Sequence, residues 1–332
     1  MRLFPLFSLC LLVMFTGCKK SEMDRSGFER AVTVAGGVTT DSIMPWVERL
    51  VAVRAGDSPV DNTGFSPGHL FPSDHLTRNA SVGLVAHAFE SMGYDADTVV
   101  LGEGPQAAYN VVAEWRGTTR PDEVVLVGSH LDAFYGGADD NGSAVAAMLE
   151  AARAVRKHHF ARTIRFISFD LEEFGSIGST RYVSAGYAHD VKAAIVMDLV
   201  GYASHEPGSQ KDVMGIRMPD VGDFLLVLGN DDSEEITRQI TAMGNSYGLS
   251  KLLGMTAPGD GGYFLSEAFM RSDHALLWYN GIPAVFLTDG ANFRNPNYHL
   301  PSDLPATLDP SFLAGNTRAL TAAIALLAEV QP

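Results

Sequence analysis

Six side chains able to ligate a divalent cation or carry a proton stand at separate points of the chain: His130, Asp139, Glu172, Glu173, Asp198 and His299. They occur in Val-Gly-Ser-His130-Leu-Asp132, Gly-Gly-Ala-Asp139-Asp140-Asn141-Gly, Phe-Asp-Leu-Glu172-Glu173-Phe-Gly, Val-Met-Asp198 and Tyr298-His299-Leu-Pro-Ser-Asp303. Imidazole and carboxylate are donors that zinc accepts without any thiolate. Five of them could hold two ions, with one carboxylate touching both, and the sixth is a glutamate left over to move a proton.

Taken singly, each residue has an ordinary explanation. Asp139 follows two glycines and an alanine, so it could turn a loop or cap the Ala-rich segment after it as well as bridge two ions. Glu172 and Glu173 could be an acidic helix start. As a neighbouring pair at the end of an apolar run, however, they repel, and cations would relieve that repulsion. Asp198 could cap a turn and His299 could be a structural loop histidine. Asp132, two residues from His130, suits the carboxylate that receives the far N–H of a ligating imidazole. The ordered set points to metal chemistry where no single member does.

Elements able to position these groups follow from the apolar pattern. A continuous Val and Leu run within 123–127 predicts a buried strand, 163–170 reads as another, and 193–197, 110–115, 224–228 and 284–287 read as strands as well. Helical spacing predicts helices over 43–55, 81–92, 143–155, 179–185, 233–247 (capped by Ser233), 274–279 and 311–329. Strands alternating with helices imply an α/β fold: a single domain with a mostly parallel central mixed sheet, flanked by helices on both faces. Such sheets bind ligands beyond the carboxyl ends of their strands. His130, Glu172, Glu173 and Asp198 each follow a predicted strand.

The ordered motifs from Asn110 to Asp303 resemble the co-catalytic zinc aminopeptidases typified by bacterial leucyl aminopeptidase, relatives of glutaminyl cyclase and transferrin receptor. Ser272-Asp273-His274 and Gly281-Ile-Pro-Ala fit the same resemblance. It implies a zinc-peptidase fold of the phosphorylase/hydrolase-like kind and two Zn2+ ions. Asp139 would bridge them, Glu173 and His299 would complete one site, and His130 with Asp198 the other. Glu172 would be the general base, Asp132 would orient His130, and a non-proline cis peptide would follow the bridging aspartate, at Asp139–Asp140. The implied substrate is a peptide with a free N-terminus. A glutaminyl cyclase or a carboxypeptidase could use the same scaffold, Arg271 or Arg294 gripping a carboxylate in the latter. A binding protein on a hydrolase fold is disfavoured because all six positions are present. Met255, Tyr263 and Phe264 are candidate lining for the side-chain pocket.

Composition narrows the partners. The net charge of -15 over 332 residues, with no basic run, excludes nucleic acid. Arg2 followed by the apolar stretch Leu3 to Phe15 reads as a signal segment too short to span a bilayer. Its end, Phe15-Thr16-Gly17-Cys18-Lys19, resembles a bacterial lipoprotein signal. The expected organisation is a signal peptide over 1–17, a tether over 18–40 and the catalytic domain over 41–332. The expected location is outside the cytoplasm, on the outer membrane, held only through lipidated Cys18. The other cysteine, Cys10, lies within the signal segment, so the mature chain would carry no disulfide.

Overall fold

The computed structural model describes residues 13–14, 25–61, 75–213, 215–257 and 267–332. In chain order the strands are β1 (Val13–Met14), β2 (Leu76–Thr77), β3 (Ala96–Leu101), β4 (Ala108–Trp115), β5 (Arg120–His130), β6 (Ala133–Phe134), β7 (Arg162–Phe169), β8 (Val191–Met197), β9 (Leu225–Asn230), β10 (Leu252–Ala257) and β11 (Ala284–Thr288). The α-helices are α1 (Arg25–Val34), α2 (Thr40–Arg54), α3 (Asn79–Ser91), α4 (Gly142–Val155), α5 (Ile177–Ser184), α6 (Glu234–Ser246), α7 (His274–Tyr279) and α8 (Pro310–Leu327).

The main sheet runs β1-β10-β9-β11-β8-β5-β7-β4-β3. Its centre, β11-β8-β5-β7, is parallel, while β9 pairs antiparallel with β11 and β4 pairs antiparallel with β7. The apolar runs explain the burial on both faces. In β5, Val125 and Val127 enter the core under α1, α2, α4 and α8, whereas Val124 and Leu126 enter the opposite core with Tyr182 of α5 and Trp278 of α7. Small residues let α4 sit close to the sheet, and almost every side chain it carries is buried. Asp309 caps α8, accepting from the N–H groups of Ser311 and Phe312 at 2.9 Å each, with Pro310 at the first helical position.

Several expectations are corrected. The expected tether contains α1, whose Phe28, Ala31 and Val34 are buried against the core, so the folded domain includes residues from Arg25 onward. Their spacing of three makes one apolar stripe that the charged face (Arg25, Glu29, Arg30) disguised. Ser233 does not cap α6; Asn230 accepts from the Ser233 N–H and caps a short turn ahead of it. Met255 is a core residue of β10 rather than pocket lining, while Tyr263 and Phe264 lie outside the described residues. So does the expected signal segment apart from Val13–Met14, which pair with Thr256 and Met255.

Candidate metal centre

Three strand ends converge on one spot. β5 ends at His130, β7 two residues before Leu171-Glu172-Glu173, and β8 at Met197 before Asp198. His299 comes from the loop after β11, and Asp140 from the loop leading into α4. Leu171, Leu199 and His299 adopt left-handed backbone, with φ of 57°, 52° and 57°. Such backbone is uncommon for non-glycine residues, and here each of the three lies at or next to a residue of the cluster.

The geometry is that of two small nests sharing a wall. His299 Nε2 lies 2.9 Å from Asp140 Oδ2 and 3.0 Å from Glu173 Oε2. His130 Nε2 lies 3.2 Å from Asp198 Oδ1, 3.4 Å from Asp140 Oδ1 and 3.9 Å from Glu172 Oε2. Two tetrahedral donors at zinc's usual bond length of about 2.0–2.1 Å stand roughly 3.3 Å apart. The two nests match that edge length, and Asp140 offers one oxygen to each.

The wall is therefore Asp140 and not Asp139, one residue on from the expectation, and the cis peptide moves with it, to Asp140–Asn141. Asp139 points the other way, fully buried. Its Oδ1 accepts from the Gly201 N–H at 3.0 Å, and its Oδ2 accepts from Asn295 Nδ2 at 2.7 Å. A Cβ at Gly201 would stand 2.8 Å from Ser143 Cβ and 3.0 Å from Asp139 Oδ1, so only glycine brings that N–H so close. The orientation of the turn is set by Asp303, whose carboxylate accepts from both backbone N–H groups, Asp139 at 2.9 Å and Asp140 at 3.1 Å.

Asp132 is fully buried. His130 Nδ1 is 3.1 Å from the Asp132 carbonyl and 3.5 Å from its carboxylate. The carboxylate itself accepts from the N–H groups of Glu172 and Glu173, each at 3.2 Å. Beneath both turns lies Arg54, 2% exposed, donating to the carbonyls of Gly136, Gly137 and Leu131 and to Ser81 Oγ. Burial lowers its pKa to about 10 against the opposing pull of Asp303, Asp132, Asp140 and Glu173. Sequence periodicity assigned Arg54 only to a helix stripe. Asp303 stood in the sequence only as the end of the Tyr298–Asp303 motif, with no role assigned, and Asn295 carried no distinguishing signal of its own.

The charges test whether cations fit. Burial, with neighbouring Asp198 and Glu173, holds the Glu172 carboxyl well above its ordinary range. Burial and Asp140 push Glu173 up to about 7. Burial opposes charge on the imidazoles, yet Asp198 raises His130, and Glu173 with Asp140 raises His299 to about 10. Four carboxylates thus crowd two imidazoles in a buried space and draw positive charge toward it, the setting that divalent ions satisfy. Glu173 Oε1 is buried with no hydrogen-bond partner among the described residues, another donor suited to an ion. The oxygen and nitrogen donor set fits zinc.

Against known proteins, the model of peptidase family M28 matches residues 110–324. The uncharacterised protein YfbL of Escherichia coli K12 is 31% identical over 250 residues, covering 69% of this chain and 74% of that protein. Leupeptin-inactivating enzyme 1 of Streptomyces exfoliatus is 32% identical over 219 residues, which are 64% of this chain and 43% of that enzyme, so this chain spans less than half of that relative's length. The LapA aminopeptidase of Legionella pneumophila shares the fold, with a TM-score of 0.66 at 21% identity over 95% of this chain and 78% of LapA. With its mixed α/β sheet and the His/Asp/Glu cluster at the strand ends, the chain belongs to peptidase family M28.

Proposed function

We propose that this protein is a two-zinc aminopeptidase that removes residues from the free N-terminus of peptides. The observation that carries the reading is the Asp140 carboxylate, with one oxygen toward His130 and the other toward His299. In this reading Asp140, His299 and Glu173 hold one ion, and Asp140, His130 and Asp198 the other. Bound zinc would supply Lewis acidity, polarising the scissile carbonyl and making an attacking water more acidic. Glu172 stands beside the His130 nest, its Oε2 3.9 Å from His130 Nε2, without being needed as a wall, which leaves its carboxylate to serve as a general base. It takes one proton from the water as the oxygen adds to the carbonyl carbon. It returns that proton to the departing amide nitrogen as the C–N bond breaks, leaving a shortened peptide and a free amino acid. Asp132 and Asp303 fix the backbone of the two acidic turns throughout.

Export and anchoring through Cys18 belong to the same reading and rest on the sequence of the first residues. Metal analysis joined to turnover tests the centre. The protein is stripped with a chelator, then titrated with zinc while leucine p-nitroanilide hydrolysis is followed. Activity should return and plateau at two equivalents. Full activity of the stripped protein, or a plateau at one equivalent, would refute the paired site.

A further inference from the structure

Two hollows meet at the proposed centre. One, of ≈ 60 Å³, opens beside Asp198 and has Leu226, Phe269 and Phe286 in its walls. The other is an open cleft of ≈ 470 Å³ beside Glu172 and Glu173, with Leu276 and Tyr279 in its walls. Arg271 and Tyr298 line both, which places these two residues at the junction. The Arg271 guanidinium donates through Nη1 to Asn292 Oδ1 and through Nη2 to Tyr298 Oη, each at 2.9 Å, with Cζ 5.7 Å from the Tyr298 ring. Both partners are neutral. Among the residues whose side chains are described, no ion pair joins Arg271 to a carboxylate.

Arg294, the other arginine singled out in the sequence, differs. It is buried and donates to the Phe224 carbonyl and to Gln210 Oε1, a structural use of its charge. Arg271 is exposed, held in place by two neutral groups, and engages two of the five N–H donors of its planar fork. An oriented guanidinium that no described carboxylate neutralises can recognise a carboxylate in bidentate fashion.

We propose that Arg271 is a specificity residue that receives a carboxylate of the peptide substrate at the junction of the two hollows. This rests on the peptidase reading. A peptide offers that group from two sources. An acidic N-terminal side chain would bring it through the pocket beside Asp198, and the C-terminus of a dipeptide would bring it through the cleft beside Glu172.

The test compares wild-type zinc-loaded enzyme with Arg271→Gln and Arg271→Lys on glutamyl and leucyl p-nitroanilides, and on Leu-Gly and Leu-Gly amide. In Arg271→Gln one of the two ratios, glutamyl over leucyl or acid over amide, should fall about tenfold, chiefly through KM, with partial recovery in Arg271→Lys. A fall in the first ratio assigns the side-chain source, and in the second the terminal carboxylate. If both ratios stay within about twofold of wild type, the inference is overturned. Wild-type enzyme that hydrolyses none of the four substrates would instead remove the peptidase reading. Calorimetric binding of glutamic acid amide against leucine amide, and of Leu-Gly against its amide, then decides Arg271 by the same two ratios.

Discussion

Asp139 and Asp140 are adjacent and chemically identical, yet the structure gives them opposite tasks. Exchanging each for asparagine therefore separates metal binding from fold stability. Asp140→Asn replaces one oxygen of the shared wall by an NH2 group, which cannot ligate. One nest must lose a donor, either beside His299 at 2.9 Å or beside His130 at 3.4 Å. The expected result is loss of at least one of two zinc equivalents, with turnover reduced by more than the roughly 10–100-fold that attends even outer-shell changes at metal sites.

Asp139→Asn touches neither nest. Its Oδ1 can still accept from the Gly201 N–H, but its NH2 group then faces Asn295 Nδ2, donor to donor. Asn295 cannot rotate its amide freely, because its Oδ1 already accepts from the Asn297 N–H at 2.9 Å and from Asn297 Nδ2 at 3.1 Å. One hydrogen bond is lost, at about 1 kcal/mol, and a buried donor is left unmatched, at about 1–3 kcal/mol. The neutral amide also relieves the repulsion from Asp289 and Asp303, so the variant should unfold about 1–3 kcal/mol more easily while binding both metals. Elemental analysis after dialysis gives the stoichiometry, and urea unfolding of the metal-free proteins gives the stability difference. The assignment is refuted if Asp139→Asn loses a zinc while Asp140→Asn keeps both.

Other outcomes follow from the same geometry. Glu172→Gln should retain both metals and lose about 10²–10⁴-fold in kcat, so undiminished turnover would remove Glu172 from the mechanism. Arg54→Met should destabilise the fold by about 3–5 kcal/mol, since a buried cation amid carboxylates is deleted; a urea midpoint within error of wild type would contradict that role. His274 is fully buried, stacked on Phe286 at 4.1 Å, and burial pushes its pKa down to about 4. The unfolded imidazole binds its proton near pH 6.5, so between pH 6.5 and 4 the unfolded state holds more protons and stability falls as pH falls, by about 1.4 kcal/mol per unit at most. His274→Phe should flatten that slope relative to wild type in urea titrations from pH 7 to 4.5, and parallel curves would show that His274 does not titrate on unfolding.

The parallel centre of the sheet was legible because strands buried on both faces favour apolar runs: β5 has Val124 to Val127, β8 has Ala193 to Met197, and β7 keeps Ile164, Phe166, Ile167 and Phe169 around Arg165. β3 was not, since it is the outermost strand and none of its residues is fully buried. β10, with Gly254 in the middle of Leu-Leu-Gly-Met-Thr-Ala, offers weak strand propensity and is held by its parallel partner β9. At the site, residue type could nominate an acidic pair at each turn but could not choose within the Asp139–Asp140 pair. That choice depends on partners far along the chain: Asp303, Gly201 and Asn295. Within the other acidic pair, Glu173 lies against His299 and Glu172 toward His130.

The same device recurs at both acidic turns, and it explains why neighbouring carboxylates can be held in different directions. Asp303 accepts from the consecutive N–H groups of Asp139 and Asp140, and Asp132 from those of Glu172 and Glu173. A carboxylate that grips two successive N–H groups fixes the peptide planes, so the side chains of the pair are sent apart by the backbone and not by their mutual repulsion alone. Arg54 lies under both turns and holds the carbonyls of Leu131, Gly136 and Gly137, so the two clamps share one buried cation. The consequence is physical. Four clustered carboxylates would drift outward to water if their loops could move, and this backbone scaffold denies them that relaxation. The residual negative field is then available to bind divalent ions tightly, and the shared geometry makes each turn sensitive to substitutions in the other.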